Sequence, residues 1–138
     1  MPSARDVAVR SDLPAFSRVV TPEAVKAYAD AGGDQNPLHQ DDEFARAAGF
    51  PGIIAHGMFT MGHLAACLSK WAGGPERIHR LTAQFRAPVF MGEEIVAGGR
   101  VKAVEHGVAI VECWVTLERD GQTEWPIKRG EAELLLDP

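Results

Sequence analysis

Asp34, Asn36 and His39 sit together in the run Gly32-Gly33-Asp34-Gln35-Asn36-Pro37-Leu38-His39. A carboxylate and an imidazole five positions apart, in a loop that a proline stiffens, can point into one space and hold a water between them. That is the equipment of a general acid and base pair. The same residues have a plainer use, because Asp and Asn before a proline often bond to nearby backbone N–H groups and cap a turn, leaving His39 on the surface. Spacing alone leaves both readings open. A second feature lies at Ala55-His56-Gly57, where an apolar helix begins with no Ser, Thr, Asp or Asn to cap it, so its first N–H groups lack a side-chain acceptor. A ligand oxygen can fill that place. Gly57 has no Cβ to keep a carbonyl away, and the helix dipole favours negative charge developing there. A water or a loop carbonyl would cap the helix equally well, but Asp34 and His39 nearby favour the ligand.

The remaining candidates are weaker. His56 reads as a residue that orients the turn. His63 and Cys67 lie four apart on one helical face and are metal-ligand types, yet no third ligand falls at a usual spacing, and core packing is the simpler reading. Arg77, Arg80, Arg86 and Lys70 are candidate contacts for the phosphates of a carrier, or ordinary solvated charges. The chain contains no Gly-x-Ser-x-Gly elbow, nucleotide-binding glycine loop or HExxH motif.

Three helices must position these groups. Ala15 to Val20 fits a short strand. Thr21-Pro22-Glu23 then opens a helix, with Thr as cap, Pro at the first turn and Glu at the positive end, and Gly32-Gly33 closes it. Asp41-Asp42-Glu43 starts a second helix, with Phe44, Ala47 and Ala48 on one side, ending at Gly49. The third runs from about 57 to 72. Its residues Met58, Phe59, Met61, Leu64, Ala65, Ala66, Cys67, Leu68 and Trp71 cover nearly every face, the pattern of a helix enclosed all round. Gly73-Gly74-Pro75 stops it. Beyond it the period changes to two, in Leu81 to Val89, Ile95 to Ala103 and Ala109 to Leu117. Asp120-Gly121 marks a hairpin, and Trp125 to Leu136 a last strand in which Pro126 implies an edge or a bulge. The economical packing is an α+β one, with a curved antiparallel meander wrapped around the central helix in one domain over 1–138.

Composition narrows the function classes. A length of 138 residues with 46% apolar content suits one core. The net charge of −5 carries no basic block, which argues against nucleic acid and membrane surfaces as partners. Cys67 and Cys113 read as buried thiols of a reducing compartment, and the charges Arg5, Asp6, Arg10, Asp12 and Arg18 leave no signal-peptide core, so a cytoplasmic protein is expected. The apolar helix is too short to span a bilayer.

On these residues the chain resembles the MaoC-like (R)-specific enoyl-thioester hydratase and dehydratase family, above all its small actinobacterial (3R)-hydroxyacyl-carrier dehydratase subunits. The likeness is carried by Tyr28 to His39, by Phe44 and Ala47 to Phe50, and by Ile54-Ala55-His56-Gly57-Met58, with weaker similarity through Phe85-Arg86-Ala87-Pro88-Val89 and Gly92-Glu93. The resemblance implies a hot-dog fold, paired as a homodimer or with a second hot-dog subunit. It also implies a coenzyme A or acyl carrier protein thioester as substrate and no metal or redox cofactor. Asp34 and His39 would activate the water and move the proton, Asn36 would support the loop, and the Gly57 N–H would polarise the thioester carbonyl. Gly62 departs from the family, several members of which carry Ser there. The competing readings are a hot-dog thioesterase, which sends water to C1, and a subunit active only beside a partner.

Overall fold

A computed structural model describes residue 3 and residues 7–137; Arg5 and Asp6, used above, lie outside the described residues. The elements are β1 (Phe16–Val19), α1 (Pro22–Gly32), a single 3-10 turn (Pro37–His39), α2 (Asp42–Ala47), α3 (Gly57–Ala72), a second 3-10 turn (Pro75–Arg77), β2 (Ile78–Phe85), β3 (Glu94–Glu105), β4 (Val108–Arg119) and β5 (Gln122–Leu135).

The strands form one antiparallel sheet in the order β1-β3-β4-β5-β2, and α3 packs against β2, β3, β4 and β5. This is the helix-in-sheet hot-dog arrangement expected from the sequence. The period of two sets the core: Ile95, Ala97 and Val101 of β3, Ala109, Val111, Cys113, Val115 and Leu117 of β4, and Ile127, Ala132 and Leu134 of β5 are all buried. They meet Leu64, Cys67 and Leu68 of α3 in one cluster.

Three expectations need correction. The meander holds only for β3, β4 and β5; β2 crosses to the far edge and pairs with β5, because residues 86–93 carry the chain across the end of the sheet before β3 begins. The sheet wraps one side of α3 only. Phe59, Thr60, His63, Leu64, Cys67, Leu68 and Ala72 are buried, whereas Met58 is 54% exposed and Gly62 is open. In α2, Phe44, Ala47 and Ala48 do share one side, which faces outward, and the buried side chain is Ala45. Pro126 lies in β5, an interior strand, beside a register shift between Val115 and Leu117 of β4, so the bulge reading holds and the edge reading does not.

Candidate active site

The loop that carries Asp34 begins where α1 is made to stop. Thr21 Oγ1 accepts the Ala24 N–H at 3.2 Å at the start of that helix. At its end Gly33 takes φ 79°, a left-handed cap that turns the chain out of the helix. Asp34 Oδ1 then accepts the Asn36 N–H at 3.2 Å, and Asn36 Oδ1 accepts the Leu38 N–H at 3.0 Å. Both Asx contacts of the plainer reading therefore exist. They do not displace the chemical reading, because the turn they build delivers His39 inward.

His39 is half-buried, and its Nδ1 lies 2.7 Å from the Ile54 carbonyl oxygen. A carbonyl only accepts, so Nδ1 carries the hydrogen and Nε2 of the neutral ring keeps the lone pair. His56 repeats the logic, with Nε2 donating to the Asp34 carbonyl oxygen at 3.0 Å. The two imidazoles stack at 3.8 Å between centroids, and Tyr28 packs on His56 at 4.8 Å. Together with the Ile54 N–H to Leu38 oxygen bond of 3.1 Å, these contacts clamp the 34–39 loop over the start of α3. His56 thus orients the turn, as its position suggested. One carboxylate oxygen of Asp34 and one nitrogen from each imidazole all lie within 4.8 Å of one another. Such a trio has the donor types for a metal. With the rings stacked and one nitrogen of each already committed, the second nitrogen of each ring is the one left for a further partner.

The helix start behaves as its sequence implies. His56 stands at the N-cap position without any side-chain capping bond, leaving the first N–H groups of a 16-residue helix available. Gly57 opens onto a cavity of about 320 Å³ that it shares with His39, Phe50, Thr60, Phe85 and Arg86. A Cβ built on Gly57 would sit 3.4 Å from the Phe85 ring, so the glycine keeps the narrow space between ring and helix end free for a ligand oxygen. Asp34 is exposed and does not line this cavity, while its carboxylate reaches the imidazoles beside it.

The facing wall is Arg86 to Val89, the first half of the segment 86–93. Arg119 donates to both carboxylate oxygens of Glu93 at 2.8 and 2.7 Å and to the Pro88 carbonyl at 3.0 Å, and its guanidinium lies 4.5 Å over the Phe90 ring. Glu93 also accepts the Phe90 N–H at 2.7 Å. Burial pulls the Glu93 carboxyl upward, but the bonds from Arg119 and Phe90 outweigh it and hold it below the usual carboxylate range. The loop so fixed gives its Val89 carbonyl to the Ala55 N–H at 2.9 Å, two residues before Gly57. Neither this clamp nor the Phe85 ring was anticipated. Gly92-Glu93 was visible in the sequence, but nothing there pairs it with Arg119.

The other candidates are structural. His63 Nε2 donates to the Phe16 carbonyl at 2.7 Å, with the rings stacked at 4.7 Å, and burial holds His63 below its ordinary value. Cys67 donates its S–H to the Pro14 carbonyl at 3.6 Å. Burial pushes both thiols up, Cys113 to about 12, so neither is a ready nucleophile. Arg77 pairs with Asp137, Lys70 sits 4.5 Å over the Phe16 ring, and Arg80 is exposed on β2, so only Arg86 of the four cations lines the cavity. Gly62 and Ala66 line a second cavity of about 560 Å³ between β1, α1 and α3.

Comparison with known proteins bears on family and fold. The profile of the MaoC-like domain matches residues 10–122. The mitochondrial 3-hydroxyacyl-[acyl-carrier-protein] dehydratase of Arabidopsis thaliana is 39% identical over 88 residues, which are 64% of this chain and 51% of that protein. The chain therefore spans about half the length of this curated relative. Among solved structures, a MaoC-like dehydratase superposes with a TM-score of 0.86 at 32% identity, covering 99% of this chain and 42% of the other. The (R)-hydratase of A. caviae involved in PHA biosynthesis superposes with a TM-score of 0.85 at 25% identity, over 96% and 98% of the two chains. Among the described residues no helix is long and apolar enough to cross a membrane. With the profile matching most of the chain and the hot-dog fold in place, the chain belongs to the MaoC-like domain family.

Proposed function

We propose that this protein reversibly hydrates trans-2-enoyl thioesters to (3R)-3-hydroxyacyl thioesters. The observation that carries the reading is the meeting of the Asp34 carboxylate and the His39 imidazole beside the uncapped Gly57 end of α3. A water held between Asp34 and His39 Nε2 loses its proton to this pair as its oxygen bonds to C3. The electron pair of the C2–C3 double bond moves toward the thioester carbonyl, whose oxygen gains enolate-like charge. The Gly57 N–H meets that charge; a preorganised donor of this kind contributes about 3 kcal/mol. One of the two residues then returns a proton to C2. Run backward, the same groups dehydrate the hydroxyacyl thioester. The reaction moves only the elements of water and calls for no metal or redox cofactor. Asn36 acts through the loop it caps.

The protein functions as a dimer in this reading. Among the described residues the outer edge of β2 is unpaired in the sheet order, and Phe85 of that strand is 50% exposed. An open strand edge of this kind pairs readily with a second strand. Light scattering at twice the chain mass supports a homodimer; a monomer that becomes active only when a second hot-dog chain is added supports the partnered form.

The test is loss of the conjugated enoyl absorbance of crotonyl-coenzyme A, run beside Asp34→Asn with the product's configuration determined. Formation of the (3R) product, lowered about 10²-fold or more in the variant, is expected for removal of a general acid or base. Release of free thiol instead would replace this reading with a thioesterase.

A further inference from the structure

Beyond the dyad cavity, and sharing Arg86 and Ala87 with it, lies a second concavity of about 290 Å³ completed by Glu124, Trp125, Lys128 and Arg129. Three cations and one carboxylate thus gather at one place on a chain whose net charge is −5. Glu124 lies within the field of Arg119, which it helps to keep protonated. The local potential is therefore positive, against the trend of the whole molecule.

The backbone shows how the cluster is assembled. Thr82 of β2 faces Glu131 of β5 and Gln84 faces Lys128, so Arg129 and Gly130 together occupy the space opposite Ala83 alone. This is a bulge, and Arg129 takes φ 53° in it, a conformation that an arginine adopts at a cost. Gly130 permits it, since a Cβ there would lie 2.6 Å from the Cys113 carbonyl oxygen. The extra residue sets Lys128 and Arg129, both exposed, side by side at the concavity. Lys128 Nζ stands 5.7 Å from the ring centroid of Trp125, a residue that is 36% exposed. On the other side Arg86 donates from its backbone to the Pro126 carbonyl at 3.0 Å and from its guanidinium to Gln84.

We infer that this concavity binds the 3′-phosphoadenosine diphosphate end of coenzyme A, making the coenzyme A thioester the preferred substrate. The inference rests on the thioester reading of the neighbouring dyad. Phosphates suit a trio of cations, two of them arginines able to make paired hydrogen bonds, and an exposed indole offers a face on which adenine can stack. A carrier protein brings one phosphate and no base, so it would leave the indole unused. Arg86 is the hinge of the arrangement, because it lines both the phosphate site and the cavity where the acyl group reacts.

Two measurements test this. Calorimetry with 3′-phospho-ADP on the wild-type protein reads the site without any turnover, and binding that weakens with added salt is expected. Turnover of crotonyl-coenzyme A is then compared with that of crotonyl-pantetheine, which lacks the nucleotide. The double variant Lys128→Gln/Arg129→Gln should lower the kcat/KM preference for the coenzyme A thioester about tenfold, mainly through KM, as expected for loss of charge-assisted contacts. Absence of 3′-phospho-ADP binding, equal kcat/KM for both thioesters in the wild type, or equal loss on both in the variant each overturns the assignment. A variant impaired only toward an acyl-carrier-protein thioester gives the patch to an acidic protein surface instead. If neither thioester turns over, the hydratase reading fails, while the calorimetry still decides the nucleotide site.

Discussion

In the loop that carries His39 to the cavity, Asp34 is exposed and accepts the Asn36 N–H, whereas in the loop that supplies the facing wall Glu93 is largely buried and accepts two hydrogen bonds from Arg119 and one from Phe90. Both are carboxylates on loops that bond to the segment just before α3. Their surroundings divide the labour. A group that must take up and release a proton needs spare lone pairs and access to water, and Asp34 has both. A group whose oxygens are filled by a guanidinium and an N–H loses those bonds if protonated, and Glu93 serves to hold the Pro88-to-Phe90 wall in place. The histidines divide in the same way, with His39 facing the cavity while His63 is buried, bonded to Phe16 and held below its ordinary value.

The widest gap between the two sides should be in turnover. Asp34→Asn and His39→Gln are each expected to cost about 10²-fold or more in kcat, while the unfolding free energy from urea titration changes by no more than about 0.5 kcal/mol at the exposed Asp34. Gln at 39 can still donate to the Ile54 carbonyl in place of Nδ1, which is why the loop should survive. A variant with full turnover would remove that residue from the mechanism. On the facing side the outcome should invert. Arg119→Met leaves Glu93 with only the Phe90 N–H and frees the Pro88 carbonyl, a loss of about 2–3 kcal/mol for charge-assisted bonds in a partly buried site. Its effect on kcat should be much smaller than that of the dyad variants, and a midpoint matching the wild type would show that the ion pair does not hold the wall.

The legible half of this site was the half encoded locally. Asp34, Asn36 and His39 lie in one short loop, and the missing cap at Ala55-His56-Gly57 could be seen because caps obey neighbour rules. The strand alternation likewise fixed which face of β3 and β4 is buried. What the sequence hid depends on register and crossing. Arg119 reaches Glu93 across 26 positions, and Phe85 meets Gly57 only because β2 crosses to the edge beside β5 rather than joining β3. The enclosed look of α3 misled for a related reason. A helix clothed in small and apolar residues reads as buried, yet Gly62 and Met58 lie where this sheet does not reach. The Lys128–Arg129 cluster was invisible because it needs a bulge, and a bulge shows only when two strands are laid side by side.

The finest difference between the two carboxylates should appear as a slope against pH. Glu93 is held below its unfolded value in the folded chain, chiefly because hydrogen bonds from Arg119 and Phe90 overcome its burial. A group depressed in this way stabilises the fold fully above its unfolded pKa, about 4.3, and that contribution fades as pH falls through this value to the lower folded one. Glu93→Gln keeps the shape of the side chain and removes the titration. The stability gap between wild type and this variant should therefore be flat from pH 7 to about 5 and close below it, with the other carboxylates cancelling in the difference. Urea midpoints from neutral pH downward measure it. In an Arg119→Met background the gap should lose most of its slope, since burial is then opposed by the Phe90 N–H alone. A gap that stays constant into acid would mean that the Glu93 charge contributes nothing to folding, and the wall would then owe its position to the packing of Phe90 and Val89.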